Sequence, residues 1–567
     1  MPRTDLATAL RDLDGQSYAR YRSLSGSWPL GSVGDGGGSL EIVRVQADPF
    51  APPSRVRVTL PGAAPEAATS TPDRRRAHAT FLLRRLRRAL RDTPLHVDAG
   101  GPEVLDRSAG RVEPDGTVVI ELGAPLPGPR RRIVGKEAAT LLGETLPQAA
   151  EALRWEAFPD DARGAATAFV ETVEDAVALR DALAERHIVA FIADGAVLPR
   201  RSGVDDRPLE DATPFVAPPE LRVEIPTPNA GVVVGTGVPE GVTLIVGGGY
   251  HGKSTLLRAI ESGVYDHGPG DGREQVVARA DAVKVRAEDG RSVVRSDVSA
   301  FVSHLPGGAA SVAPSTADFS TTNASGSTSQ AASMVEAVEA GAGVLLVDED
   351  TSATNMMIRD ARMQQLIASE PLVPFVERIR PLHAELGVSS VLVMGGSGDY
   401  LGVADTVIMM DAYAASEVTA RAHEIAAASP GRVTEHSGFP PVARRVVDPS
   451  SLDPTGKRGR PRVTARGLDT LTFGEDEVDL DAVEQIVDRS QVTGIGRALA
   501  LLGNGVLDGT IPLGEGLDLL DAQISREGIH ALREGARDAT DLALPRRHEV
   551  AAALNRLRSV RVGSLLR

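Results

Sequence analysis

Four residues in this chain have the types and spacing to do phosphate chemistry: Lys253, Ser254, Asp348 and Glu349. The first two belong to the run Gly247-Gly248-Gly249-Tyr250-His251-Gly252-Lys253-Ser254-Thr255, which carries G-x-x-x-x-G-K-S spacing. Glycines at these positions let backbone N–H groups converge on phosphate oxygens, and a helix opening at Lys253 directs its positive end at the same point. Lys253 would reach the terminal phosphates of a nucleotide, and Ser254 would offer its hydroxyl to Mg2+. The run Gly343-Val344-Leu345-Leu346-Val347-Asp348-Glu349 supplies a complementary half, an apolar strand ending in two carboxylates. Asp348 suits the outer Mg2+ position, and Glu349 suits polarisation of a water attacking a γ-phosphate. His251 is expected to contribute backbone and loop shape, and the other histidines show no metal-ligand spacing.

Such groups need a sheet edge to bring them together. Val242–Val246 reads as a strand feeding the glycine loop, and Leu256-Leu257-Arg258-Ala259-Ile260 as the helix after it. Further strands are expected at Ile188–Ile192, Val344–Val347, Val391–Met394 and Thr406–Met410, with a helix at Thr172–Glu185 and other helices between them. This rhythm predicts an α/β fold with a largely parallel sheet covered on both faces. Residues 1–163 read as an α+β N-terminal domain, with strands at Leu40–Val45, Val56–Leu60 and Val118–Leu122 and a helix at Arg74–Arg91. Residues 164–440 form the P-loop core, and 441–567 a linker (about 441–463) followed by a mainly helical C-terminal domain. Its helices are placed at Leu480–Arg489, Gly496–Leu502, Leu517–Ile524 and Arg547–Leu557. At 567 residues, two to four domains are expected.

Asp348-Glu349-Asp350-Thr351-Ser352-Ala353-Thr354-Asn355 resembles the D-E-P-T-S-A-L-D run of ATP-binding-cassette (ABC) ATPases. Ser352, Ala353 and Asn355 fall where that superfamily has its D-loop, which communicates across a dimer. Upstream, Asn323-Ala324-Ser325-Gly326-Ser327-Thr328-Ser329-Gln330 resembles the ABC signature, with Ser325 placed 23 residues before Asp348. The chain is similar, over almost its whole length, to the soluble family called predicted ATPases of the ABC class. The resemblance runs through Val45–Phe50, Gly241–Leu257, Pro269–Glu274, Arg286–Arg291, Phe319–Gln330, Val347–Asp360, Val393–Tyr400 and Pro545–Glu549. It implies an ABC-type ATPase core between an N-terminal and a helical C-terminal domain. It also implies ATP and Mg2+ as cofactors, a homodimer, and no transporter domain. One phosphate loop and one signature per chain imply that Ser325, Gly326, Ser327 and Gln330 act in trans on a second copy's nucleotide.

The chain departs from ordinary ABC ATPases in several places. No histidine follows the strand ending at Met394; Gly395-Gly396-Ser397-Gly398-Asp399-Tyr400 stands there, leaving Ser397 or Asp399 to sense the γ-phosphate. No clear glutamine follows the phosphate loop at the usual point, and Asp297 and Ser299 are the substitutes considered. No aromatic residue is placed by the sequence to stack on adenine.

The formal net charge is −16, yet Lys and Arg outnumber Asp and Glu across residues 51–140. Arg74, Arg75, Arg76, Arg84, Arg85, Arg87, Arg88 and Arg91, with Arg130, Arg131 and Arg132, are candidates for a phosphate-backbone track on RNA or DNA. The competing account is a solvated helix face. Gly456-Lys457-Arg458-Gly459-Arg460-Pro461-Arg462 resembles an AT-hook, though a simple loop explains it as well. The absence of cysteine excludes disulfides, thiolate metal sites and Cys nucleophiles. Met1-Pro2-Arg3-Thr4-Asp5 leads into no apolar signal segment, and no run of about 18 apolar residues occurs, so a cytoplasmic protein without membrane attachment is expected. The leading expectation is an ATPase whose Mg-ATP-driven closure clamps or remodels a partner, nucleic acid foremost. A slow or non-hydrolysing ATP switch acting on a protein is the alternative. A small-molecule kinase is a third reading, disfavoured by the Asp-Glu strand end.

Overall fold

The computed structural model describes residues 5–30, 37–305, 315–359, 366–367, 370–428, 438–533 and 541–566. Met1–Thr4 and Asp360, which figure in the sequence reading, lie outside the described residues. The chain divides into two compact units, one of Met1–Glu174 with Ile529–Leu544 and one of Asp175–Gly528 with Pro545–Arg567.

In the first unit, strands β1 (Gly26–Pro29), β2 (Ser39–Arg44), β3 (Ser54–Leu60), β4 (Gly110–Val112) and β5 (Val118–Ala124) form one antiparallel sheet in the order β1-β2-β3-β5-β4. Leu40, Ile42, Val56, Val58, Ile120 and Leu122 supply its buried face. Helix α1 (Pro72–Ala89) covers this core through Leu82, Leu83 and Leu86, so the Leu spacing at one face translates directly into burial. Thr71 Oγ1 accepts the Arg74 N–H and Pro72 occupies the first turn, an arrangement that ends the preceding loop and starts the helix. A short return of the chain completes the unit. Arg533 from this return joins Arg57 and Arg55 around Glu121, whose carboxylate is 1% exposed. Burial favours the protonated acid, but the three guanidinium groups outweigh it and hold the carboxyl below its ordinary value.

The second unit is built on a six-stranded sheet. Its strands, with a neighbouring four-stranded sheet numbered in chain order alongside, are β6 (Ile188–Ala193), β7 (Arg222–Thr227), β8 (Gly231–Pro239), β9 (Val242–Val246), β10 (Val276–Ala278), β11 (Ala282–Val285), β12 (Val344–Asp348), β13 (Ser389–Val393), β14 (Thr406–Asp411) and β15 (Ala414–Glu417). The main sheet runs β11-β12-β13-β9-β14-β15 and is parallel except for the last hairpin. The smaller sheet, β7-β8-β6-β10, is antiparallel. Every residue of β12 and β13 is buried, which is why these strands, Asp348 at the end of β12 apart, are continuous apolar or hydroxyl-bearing runs instead of alternating ones. Helix α2 (Asp160–Glu185) ends ahead of β6, α3 (Lys253–Ser262) follows β9, and α4 (Gly326–Glu339) precedes β12.

The C-terminal region adds strands to the expected helices. β16 (Arg444–Val447) pairs with β20 (Val562–Leu566), and β17 (Val463–Arg466), β18 (Thr470–Phe473) and β19 (Asp476–Asp479) make a three-stranded meander. Helices α5 (Arg489–Leu501), α6 (Leu513–Glu527) and α7 (Arg547–Arg556) match three of the four expected there. The fourth, Leu480–Arg489, is not a helix. The buried Gln485 donates to the Glu261 and Ala282 carbonyls and accepts from the Lys284 N–H, so this segment is tied to core backbone in place of its own. The linker expected at 441–463 likewise begins with a strand that carries Arg445 into the core.

Arg445 is 3% exposed and grips Glu339 of α4 through Nε and Nη2, at 2.7 and 2.6 Å. It also donates to the Asn555 Oδ1 on α7 at 2.8 Å. Glu336, one turn away, is shared by Arg291 and Ser296, with Arg445 Nη1 at 3.6 Å. Removing one member of such a buried set leaves charge without a partner. Arg445→Ala should therefore destabilise the second unit by about 3–5 kcal/mol, read as a lowered urea midpoint; a loss within experimental error would show the ion pairs to be dispensable.

Candidate functional site

The parallel order of the main sheet places β9 between β13 and β14, so the segments leaving β9, β12 and β13 meet at one edge. β9 delivers the glycine loop. Gly252 adopts φ +97° and caps α3, a left-handed conformation that a side chain resists, and Lys253 then begins the helix. Lys253 Nζ donates to the Gly247 and Gly248 carbonyls at 2.9 and 2.8 Å, so its ammonium rests inside the loop's own curve. Tyr250 at the crest is also left-handed, at φ +64°, and its side chain is fully exposed. Ser254 and Thr255 occupy the first turn of α3.

β12 delivers the carboxylates. Asp348 is 6% exposed at the strand end, and its Oδ1 accepts the Asp350 N–H at 3.2 Å. Glu349 Oε2 accepts two backbone N–H groups from the loop after β13, Gly395 at 2.5 Å and Gly396 at 2.9 Å. A carboxylate held by consecutive N–H donors is fixed in position. Both donors go to Oε2, and among the described residues Oε1 accepts no hydrogen bond. A Cβ built on Gly395 would lie 3.6 Å from Lys253 Nζ and 3.7 Å from Glu349 Oε2, so the ammonium and carboxylate flank this glycine. A cavity of about 370 Å³ opens alongside, bounded by Gly247, Gly395, Gly396, Ser397 and Arg421. The glycine pair therefore stands where a histidine was missed in the sequence. Only its backbone acts, and a side-chain pattern carries no trace of that.

The other sequence candidates divide. Ser397 lines the cavity and its Oγ accepts the Asp399 N–H. Asp297 Oδ1 accepts both the N–H and the hydroxyl of Ser299, an arrangement that shapes a turn. Ser325 caps α4 and its hydroxyl meets those of Ser327 and Thr328 at 3.3 and 3.0 Å. Ser325 is exposed, and Gly326 and Ser327 are half-buried. Gln330 is fully buried: its amide donates to Ser352 Oγ at 3.0 Å and accepts the Ala353 N–H at 2.8 Å. Ser352 in turn donates to the Asp348 carbonyl at 2.7 Å. Signature helix, D-loop and carboxylate strand are thus joined within one chain, and the Gln330 side chain is committed to that link. Asn355 is exposed in the short helix Thr354–Met357.

His251 shapes the loop as expected. Its Nδ1 lies 2.9 Å from the Ala412 N–H and 2.8 Å from Asp411 Oδ1, and its carbonyl accepts the Tyr413 N–H. The arginines of α1 are largely structural. Arg74 is paired with Glu174, Arg75 donates to the Thr69 carbonyl, Arg76 pairs with Asp73, and Arg84 donates to three carbonyls at Gly101–Glu103. Arg85 lies over the Phe158 ring at 4.5 Å. Arg87, Arg88, Arg91, Arg130, Arg131 and Arg132 are exposed. Lys457, Arg458, Arg460 and Arg462 of the AT-hook-like stretch are exposed too. Among the described residues no helix is long and apolar enough to cross a membrane.

Three family models match successive parts of the chain. They are described as ATPase of the ABC class N-terminal (residues 3–156), the P-loop domain of ABC_ATPase (162–444) and the MRB1590 C-terminal domain (462–563). The uncharacterized protein MJ1628 of Methanocaldococcus jannaschii is 32% identical over 232 residues, covering 39% of this chain and 50% of that protein. The chain thus matches about half the length of this curated relative.

A methyl group on Gly396 would come within 2.9 Å of Glu349 Oε1, and the flexible carboxylate would have to move aside. Gly396→Ala is therefore expected to leave folding and nucleotide affinity intact while lowering Mg-ATP turnover by about 100-fold, the scale of loss a 1 Å misplacement brings. Wild-type turnover in steady-state assays would show that the glycine pair does not position Glu349.

Proposed function

Because the chain belongs to the family of ABC-class ATPases, with the family's P-loop and N-terminal domains both matched, we propose that it binds Mg-ATP and hydrolyses it at the interface of a homodimer. The observation that carries this reading is the convergence of Lys253 and Glu349 about Gly395. One group neutralises phosphate charge. The other has a free carboxylate oxygen to orient a water.

The donor set suits Mg2+. Ser254 and Asp348 offer hard oxygen ligands, the kind this ion takes alongside phosphate and water oxygens. When bound, Mg2+ would supply charge neutralisation to the phosphates, with Ser254 and Asp348 placed to hold it. The chain's own part is to release Lys253 from the Gly247 and Gly248 carbonyls onto phosphate, and to keep Glu349 aimed by Gly395 and Gly396. Ser325, Gly326 and Ser327 are left for the nucleotide of a second copy. Binding that copy only when the γ-phosphate is present would couple hydrolysis to opening and closing.

The partner worked upon is proposed to be RNA or DNA, and the localisation cytoplasmic. Support comes from the exposed arginines at 87, 88, 91 and 130–132, since the half-buried ones already serve the fold. A slow or non-hydrolysing ATP switch acting on a protein is the competing reading, favoured by the lack of a histidine in the Gly395–Tyr400 run.

Two measurements test this. Glu349→Gln should retain Mg-ATP binding while turnover falls by about 100-fold or more, and Lys253→Ala should lose binding; a Glu349→Gln protein with undiminished turnover would remove the residue from the reaction. Replacing Arg87, Arg88 and Arg91 with Glu should weaken single-stranded RNA or duplex DNA binding and flatten its dependence on salt. Unchanged affinity and slope would return these arginines to plain surface.

A further inference from the structure

β14 and β15 are joined by a two-residue turn, Ala412-Tyr413, with Asp411 paired to Ala414 across it. Both turn residues are left-handed, at φ +45° and +68°. Two-residue hairpins of this kind favour Asn-Gly or Asp-Gly, because L-residues with larger side chains resist that region. Ala-Tyr is a poor choice for the turn alone, and strain retained in a fold points to a job done by the residue that causes it.

The strained residue is packed on the phosphate loop. The Tyr413 N–H donates to the His251 carbonyl at 3.1 Å, and Ala412 donates to His251 Nδ1. A Cβ at Gly252 would lie only 2.7 Å from Tyr413 Cδ1, so the ring sits against the Cα that immediately precedes Lys253. Tyr413 nevertheless remains 43% exposed, and among the described residues its hydroxyl makes no hydrogen bond. An aromatic ring is therefore fixed at one edge on the loop, with much of its surface open to a ligand.

Resting on the Mg-ATP reading above, we propose that Tyr413 is the stacking platform for the base of the bound nucleotide. The loop and the start of α3 hold phosphates, and ribose is the only spacer between the α-phosphate and the base. The geometry calls for a planar aromatic ligand beside a polyphosphate, which is a nucleoside triphosphate. Stacking tolerates any base, so Tyr413 confers affinity for a nucleotide over bare polyphosphate more than a choice of adenine over guanine.

The test compares Mg-ATP with Mg-tripolyphosphate in equilibrium binding to the full chain. Tyr413→Asn removes the ring while placing a residue that accepts the left-handed turn, so its melting temperature should not fall. Its ATP affinity should drop by about tenfold to a hundredfold with tripolyphosphate affinity unchanged. Tyr413→Trp should keep ATP affinity, and its fluorescence should be altered by ATP but not by tripolyphosphate. Unchanged ATP affinity in Tyr413→Asn, or equal weakening of both ligands, would overturn the platform and leave the ring as a prop for the loop. Failure of the wild-type chain to bind either ligand would instead bring down the ATP reading itself.

Discussion

The site depends on the grip of two successive backbone N–H groups, Gly395 and Gly396, on one oxygen of Glu349. That contact requires β12 and β13 to lie side by side in parallel, with their carboxyl ends level, and β9 to follow next so that Lys253 arrives at the same point. Backbone donors impose a further condition: nothing can protrude from residue 396, where a methyl group would strike the carboxylate. Backbone donors thus tie the composition of the loop to the position of the acid. The same carboxylate strand is braced from the other direction by Gln330 and Ser352, so both sides of the strand end are fixed by hydrogen bonds.

The signature helix is the element through which the rest of the second unit bears on this site. Its first turn presents Ser325, and its buried face carries Gln330 to the D-loop. Its last turns carry Glu336 and Glu339 to Arg291 and Arg445. Buried ion pairs hold the far end of this helix, and Gln330 ties its buried face to the D-loop. The exposed Ser325 and the buried Asp348 are therefore connected within one chain through this helix and the Gln330–Ser352 hydrogen bonds.

Much of this was legible in the sequence wherever function lies in consecutive residues. The glycine loop, the strand ending at Asp348-Glu349 and the signature helix each need particular residue types at fixed local spacing, and they were located to within a residue or two. The segment Leu480–Arg489 misled because its Leu480, Val483 and Ile486 spacing imitates a helix face, while the buried amide of Gln485 bonds the backbone of α3 and β11, far away in sequence. The N-terminal arginines misled in part, since periodicity cannot tell Arg84, bonded to carbonyls, from the exposed Arg88. Tyr413 was invisible for a plainer reason: it reaches Gly252 because β14 lies next to β9, and strand adjacency is not written in spacing. Gly395 and Gly396 look like an ordinary turn until the carboxylate they hold is seen.

The central claim is that a complete reaction site takes Lys253 and Glu349 from one copy and the Ser325 turn from another. Mixing two inactive proteins, Lys253→Ala and Ser325→Glu, and measuring Mg-ATP turnover tests it most directly. A mixed dimer would contain one site with both halves intact, so the account predicts activity well above that of either protein alone, rising with total concentration. A mixture as inactive as its components, with assembly of mixed dimers verified, would contradict it.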